Sequence, residues 1–111
     1  MEKEYKVYIT NHALEQMEEI KQYIVDELLA PQAARDLLTE FQKNAVSLSH
    51  FPARNPLVNE EKWRKKGIRR AVVENFLMYY WINEPEETVY ITAVIYGRRD
   101  QSKMLEKMKL K

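Results

Sequence analysis

The chain has 111 residues, of which 45% are hydrophobic and 32% charged, a length and composition that suit one folded globular domain over residues 1–111. It contains no cysteine, which excludes disulfides, thiolate metal sites and cysteine nucleophiles. No apolar run approaches the roughly 18 residues of a membrane span, and no signal-peptide pattern opens the chain, so we expect a cytoplasmic protein without membrane contact.

The net charge of +1 hides a strong asymmetry along the chain. Residues 1–61 contain eleven acidic and six basic residues, which gives −5, whereas residues 62–111 contain twelve basic and six acidic residues, which gives +6. The basic half therefore favours anionic partners.

The first predicted elements are a strand and a helix. Residues 5–10, YKVYIT, alternate in the period-2 pattern of a half-buried strand. Thr10 or Asn11 can then cap a helix. The apolar positions of this helix, spaced by three or four residues as an inward-facing stripe requires, are Leu14, Met17, Ile20, Ile24 and Leu28.

A second helix and a long loop come next. Pro31 disfavours helical geometry in Ala30 but suits the first turn of a new helix. The apolar positions of the second helix are Ala34, Leu37, Leu38, Phe41, Ala45 and Leu48. The short connection predicts an antiparallel helical hairpin. Residues 50–63 contain two prolines and no sustained period, which predicts a loop long enough to suggest a functional role.

Three strands and a short basic helix complete the chain. The strands are predicted at 67–73, 75–82 and 88–97, because β-branched and aromatic residues dominate them. The last of these is nearly continuously apolar, which is typical of a central strand. The order of elements predicts an α+β fold. We expect an N-terminal strand, an antiparallel helical hairpin on one face of a small, curved, mainly antiparallel four-stranded sheet, and a short C-terminal helix within residues 100–111. The other face of the sheet is expected to be partly open.

Most kinds of chemical site have no counterpart in the sequence. The two histidines, His12 and His50, lie far apart in the chain, so no metal site is expected. With two glycines, Gly67 and Gly97, neither a phosphate-binding loop nor a dinucleotide fingerprint can be built, and no cofactor is expected. The acidic residues suit solvated helix faces and a turn, without a paired-carboxylate arrangement.

Arginines are the remaining candidates for a functional site. The pairs Arg69-Arg70 and Arg98-Arg99 are expected at matching ends of neighbouring strands, where one member of each pair points to the open face. A guanidinium stays charged and donates in a fork, which suits phosphate and carboxylate partners. The predicted target-binding residues are these four arginines and Tyr96. The alternative is structural, with Arg99 and Asp100 forming a local ion pair.

Several segments together resemble the RelE/ParE toxin superfamily of bacterial type II toxin–antitoxin systems. They are YKVYIT followed by NHALEQMEEIKQYI, then LLAPQAA, GIRRAVVENFLMYYWI and VYITAVIYGRRD, over residues 5–105. The resemblance implies the fold inferred above and a small toxin that a cognate antitoxin wraps and neutralises. Operator DNA would then be contacted only through the antitoxin.

The superfamily has two branches with different targets. RelE-like members cut mRNA on the ribosome, and ParE-like members, often plasmid stabilisation toxins, block DNA gyrase. Arg99 falls on a phosphate-stabilising position of the RelE-like enzymes, but Leu77 stands where they have an arginine. Leu105 stands near where they carry a proton-transferring Tyr or His, and an arginine cannot replace such a group. The resemblance therefore favours the ParE-like branch, a non-catalytic gyrase poison.

Two alternatives stay open. In the first, the protein is a ribosome-dependent endoribonuclease that uses an unconventional set of residues, namely Arg70, Arg99, Lys65, Lys66 and Lys103. In the second, the protein is a non-toxic binding module within an antitoxin complex. The sequence does not decide between gyrase and ribosome as the target.

Overall fold

The computed structural model describes residues 3–111 and contains four α-helices and four strands in these residues. In chain order they are β1 (Lys6–Ile9), α1 (Asn11–Asp26), α2 (Pro31–Ser47), α3 (Glu61–Arg64), β2 (Arg69–Val73), β3 (Phe76–Asn83), β4 (Thr88–Tyr96) and α4 (Gln101–Leu105). A 3₁₀ turn, Pro52–Arg54, lies between α2 and α3. The predicted α+β fold is confirmed.

The four strands form one sheet in the order β1-β4-β3-β2. β1 runs parallel to β4, and the other two pairings are antiparallel. β4 therefore lies inside the sheet, and residues 91–95 are all buried, as the apolar run predicted. A bulge between Tyr79 and Tyr80 of β3 shifts the register with β4.

The helical hairpin packs on one face of the sheet, which we call the hairpin face. Its core joins Met17 of α1 and Phe41 of α2 to Met78, Tyr80 and Ile91 of the sheet. The predicted inward stripe of α2 is confirmed, since its six residues are buried or partly buried.

The predicted stripe of α1 is wrong at both ends. Leu14 and Leu28 are exposed, and Ala13 is buried at the start of the helix. Thr10 is the N-cap, and its hydroxyl accepts from the Ala13 N–H at 3.3 Å. The cap fixes which residue of the first turn faces the sheet. α1 also ends at Asp26, so Leu28 lies beyond the helix.

The opposite face of the sheet, which we call the second face, is more covered than expected. It carries a second core that includes Trp63 of α3, Ile68, Tyr79, and Leu105 and Met108 from the C-terminal segment. Residues 50–63 were predicted as a loop, but they contain the 3₁₀ turn and most of α3. Leu57 also forms an isolated bridge with Arg69. The apolar residues Val58 and Trp63 draw this segment onto the sheet.

Candidate functional site

Arg69 and Arg70 begin β2 and lie on opposite faces of the sheet, as strand alternation predicts. The half-buried Arg69 donates from Nη1 to the Asn55 carbonyl at 2.6 Å and to the Ala53 carbonyl at 3.3 Å. Arg70 is exposed. Arg69 therefore holds the segment after α2 against the sheet, and Arg70 is the arginine of this pair that a partner can reach.

On the second face, Arg70 lies beside the hydroxyl of Tyr79, its cross-strand partner. Tyr79 is buried and donates to Gln101 Oε1 at 2.8 Å. Burial raises the pKa of the Tyr79 hydroxyl, while the Arg70 guanidinium lowers it in part. Because the net shift is upward from 10.0, Tyr79 keeps its proton near neutral pH.

Sequence reasoning assigned no role to Tyr79. The sequence does indicate that Tyr79 lies opposite Arg70. Only two residues connect Val73 to Phe76, and a tight hairpin at that turn pairs Arg70 with Tyr79. The hydrogen bond from Tyr79 to Gln101 could not be predicted in this way, because it depends on how α4 folds back over the sheet.

Arg98 and Arg99 lie in the turn after β4, because the strand ends at Tyr96 rather than at 97. Strand alternation therefore does not govern their directions. Both are exposed, and Arg99 Nη2 donates to Met104 Sδ at 3.4 Å. Asp100 is the N-cap of α4 and accepts from the Lys103 N–H at 3.2 Å.

The expectation that the two arginine pairs lie at matching ends of neighbouring strands is wrong. β3 separates β2 from β4, so the two strands are about 10 Å apart. Arg70 is level with Ala93, three residues before the end of β4, which places that end about 10 Å further along the sheet. The turn after β4 nevertheless brings the Arg99 backbone back towards Arg70, because Gln101, which accepts from Tyr79, donates from Nε2 to the Arg99 carbonyl at 2.8 Å. The Arg99 side chain points away towards α4.

Arg99 lines an open groove between α1 and α4. Its α1 wall carries Glu15 and Glu19. Its other wall mixes charges of both signs, with Arg99, Lys103 and Lys107 beside Asp100 and Glu106. His12 also lines the groove, and its Nε2 is buried without a hydrogen-bond partner.

The other predicted site residues are dispersed. Tyr96 is 39% exposed, as expected, but its ring lies 5.6 Å from that of Phe76 on the hairpin face, opposite to Arg70. The Lys65 ammonium forms an exposed ion pair with Glu61 at 3.2 Å. Lys66 Nζ lies 5.8 Å from the ring centroid of Trp63.

Within residues 3–111, no group of three or more His, Asp or Glu side chains could hold a metal ion. The helices of the same residues are all too short or too polar to cross a membrane.

Three comparisons place the chain among known proteins. The model of the ParE toxin of the type II toxin–antitoxin system parDE matches residues 7–101. A chain of the chromosomal ParDE system from P. aeruginosa superposes with a TM-score of 0.69 at 14% identity, covering 83% of this chain and 95% of that one. A chain of the toxin–antitoxin complex RelBE2 from Mycobacterium tuberculosis gives 0.58 at 22% identity, covering 84% and 91%. A search of curated proteins finds no significant match. The two structures share the fold, and the match over residues 7–101 shows that this chain belongs to the ParE toxin family, within the RelE/ParE superfamily of type II toxin–antitoxin systems.

Proposed function

We propose that this toxin arrests growth by binding and blocking DNA gyrase in the cytoplasm, without chemistry of its own. The observation that carries the proposal is the protonated, hydrogen-bonded hydroxyl of Tyr79, which lies beside Arg70. Its pKa is raised by burial and its proton is donated to Gln101, so it is poorly placed to take a proton from a substrate hydroxyl. Arg70 can hold an anionic group there, which suits recognition better than catalysis.

The dispersal of the candidate proton-transferring lysines supports the same choice. A ribonuclease site needs its phosphate-stabilising and proton-transferring groups within hydrogen-bond reach of one scissile bond. Of the lysines in the ribonuclease alternative, Lys103 lines the groove between α1 and α4, Lys65 pairs with Glu61 at 3.2 Å, and Lys66 lies against the Trp63 ring. A binding surface has no such requirement, because contacts spread over a wide area each contribute to the binding free energy.

A cognate antitoxin is proposed as the second partner. Residues 62–111 carry a charge of +6, so an acidic antitoxin segment would be attracted to this half of the toxin. The exposed Val72, next to Arg70 on the edge strand β2, offers an apolar contact beside the charge. Contact with operator DNA would then pass through the antitoxin.

The test is a supercoiling assay with purified gyrase and purified toxin, run beside a translation extract in which mRNA is examined by primer extension. We expect loss of supercoiling and intact mRNA. Arg70→Ala should raise the half-inhibiting concentration by about tenfold or more, since it removes a charged contact. Lys43→Ala, at an exposed cation of α2, is the control and should leave it unchanged.

Three results would contradict the proposal. Full supercoiling at saturating toxin would remove gyrase as the target. Site-specific breaks within codons of the translated mRNA would favour the endoribonuclease alternative instead. Normal growth on expression without antitoxin would favour the non-toxic binding module.

A further inference from the structure

The tip of the helical hairpin exposes an unusual amount of apolar surface. Tyr23, Leu28 and Leu29 are 58%, 56% and 79% exposed. They lie close together, because the Leu28 N–H donates to the Tyr23 carbonyl at 3.3 Å. We call these three residues the hairpin tip.

Leu29 also has an unfavourable backbone conformation. Its φ of 51° is in the left-handed region, where a leucine side chain is strained and glycine or asparagine is usual after a helix. A glycine would therefore be the more stable choice, and the leucine side chain points into solvent instead of a core. Strain combined with an exposed apolar group is typical of positions held for binding.

The charge around the hairpin tip restricts what can cover it. Residues 22–36 contain Asp26, Glu27 and Asp36 against Arg35, which gives −2. Nucleic acid would be repelled, because its phosphates carry the same sign. An acidic antitoxin segment would be repelled for the same reason.

A second copy of this chain also fits poorly. A symmetric contact would bring the acidic groups of both tips together, and like charges across an interface oppose association. The remaining fit is a different protein with an apolar pocket and a basic rim.

We propose that the hairpin tip inserts into an apolar pocket, rimmed by Lys or Arg, on the protein that the toxin inhibits. The inference rests on the proposed function, so the protein is DNA gyrase. α1 has 16 residues and is about 24 Å long. The tip is therefore a second contact, separate from Arg70 at the sheet.

The experiment compares Leu29→Gly with Val46→Ser in the gyrase supercoiling assay. Val46 is a matched control, since it is 67% exposed and lies at the other end of α2. Leu29→Gly should raise the half-inhibiting concentration about tenfold, as expected when most of a leucine is no longer buried on binding. Its melting temperature should equal or exceed that of the wild type, because the strain is relieved. Val46→Ser should inhibit like the wild type.

Leu28→Ser is a second variant, at a residue whose φ is not positive, so backbone strain does not change. Like Leu29→Gly, it should weaken inhibition. Wild-type potency in both tip variants would overturn this inference and leave gyrase inhibition standing. Equal weakening by Val46→Ser would also overturn it, because the effect would not be specific to the tip. A wild-type toxin that leaves supercoiling unchanged would overturn both this inference and the proposed function.

Discussion

Arg69 and Arg70 are adjacent and chemically identical, yet the structure assigns them opposite consequences on replacement by alanine. Arg69 donates to the carbonyls of Asn55 and Ala53 from a half-buried position. Arg70 is exposed beside Tyr79. Arg69→Ala should therefore lower the free energy of unfolding, whereas Arg70→Ala should lower affinity for the target.

The size of the stability loss follows from the hydrogen bonds of Arg69. A bond from a charged donor contributes about 1.5–3 kcal/mol, and the partial exposure of Arg69 reduces this to about 1–2 kcal/mol. For a domain of this size, each kcal/mol shifts the melting temperature by about 4 °C. Arg69→Ala should thus melt roughly 4–8 °C below the wild type. Arg70→Ala should stay within about 0.5 kcal/mol of the wild type, as exposed substitutions usually do.

Thermal unfolding followed by circular dichroism measures the first effect, and urea unfolding gives the free energies. Arg69→Lys is a useful third variant, since it keeps the charge but loses the planar fork. It should recover only part of the lost stability. Equal melting temperatures for Arg69→Ala and Arg70→Ala would refute the structural role given to Arg69.

Three other predictions concern the core and the turns. Gly97→Ala should lower stability by about 1 kcal/mol, because a Cβ at residue 97 would lie 3.1 Å from the Asn75 carbonyl oxygen; an unchanged urea midpoint would contradict this. Tyr80→Phe should cost about 1–3 kcal/mol, because it leaves the Pro52 carbonyl, 2.6 Å from the hydroxyl, without its donor; calorimetry measures the loss, and a wild-type melting temperature would show the bond to be unimportant. Burial, the main cause, raises the pKa of both Tyr79 and Tyr80 above 10.0, so the native state holds these protons longer than the unfolded state does. The free energy of unfolding, measured by urea titration, should therefore fall as pH rises past 10, and it should fall less steeply with pH in Tyr79→Phe. Identical pH slopes in the wild type and Tyr79→Phe would exclude Tyr79 as a contributor.

The sequence predicted features that depend on neighbours along the chain. The apolar spacing of α2, from Ala34 to Leu48, identified its buried side because a helix repeats its direction every three to four residues. Alternation along β2 likewise separated Arg69 from Arg70. The same reasoning failed at Leu14 and Leu28, where the cap at Thr10 and the helix end at Asp26 override the spacing.

The contacts of the candidate site were harder to predict. The relation between Arg70 and Arg99 depends on the strand order and on the turn after β4. β3 separates their strands, and Gln101 then links the Arg99 carbonyl to Tyr79 beside Arg70. The segment from Val58 to Trp63 was expected to be a loop, since its apolar residues are too few for a period. Only the packing of α3 and of the C-terminal segment on the second face shows that they complete a core.

The sequence by itself determined the two long helices, the four strands, the α+β class and the division of charge, because each depends on local spacing or on composition. The resemblance of several segments indicated the family. The tertiary structure decided which charged groups meet. It placed Tyr79 between Arg70 and Gln101, turned the Arg99 side chain into the groove between α1 and α4, and left Leu29 exposed in a strained turn. These outcomes depend on strand order and chain reversal, which bring together residues that are distant in sequence and leave no periodic signal behind.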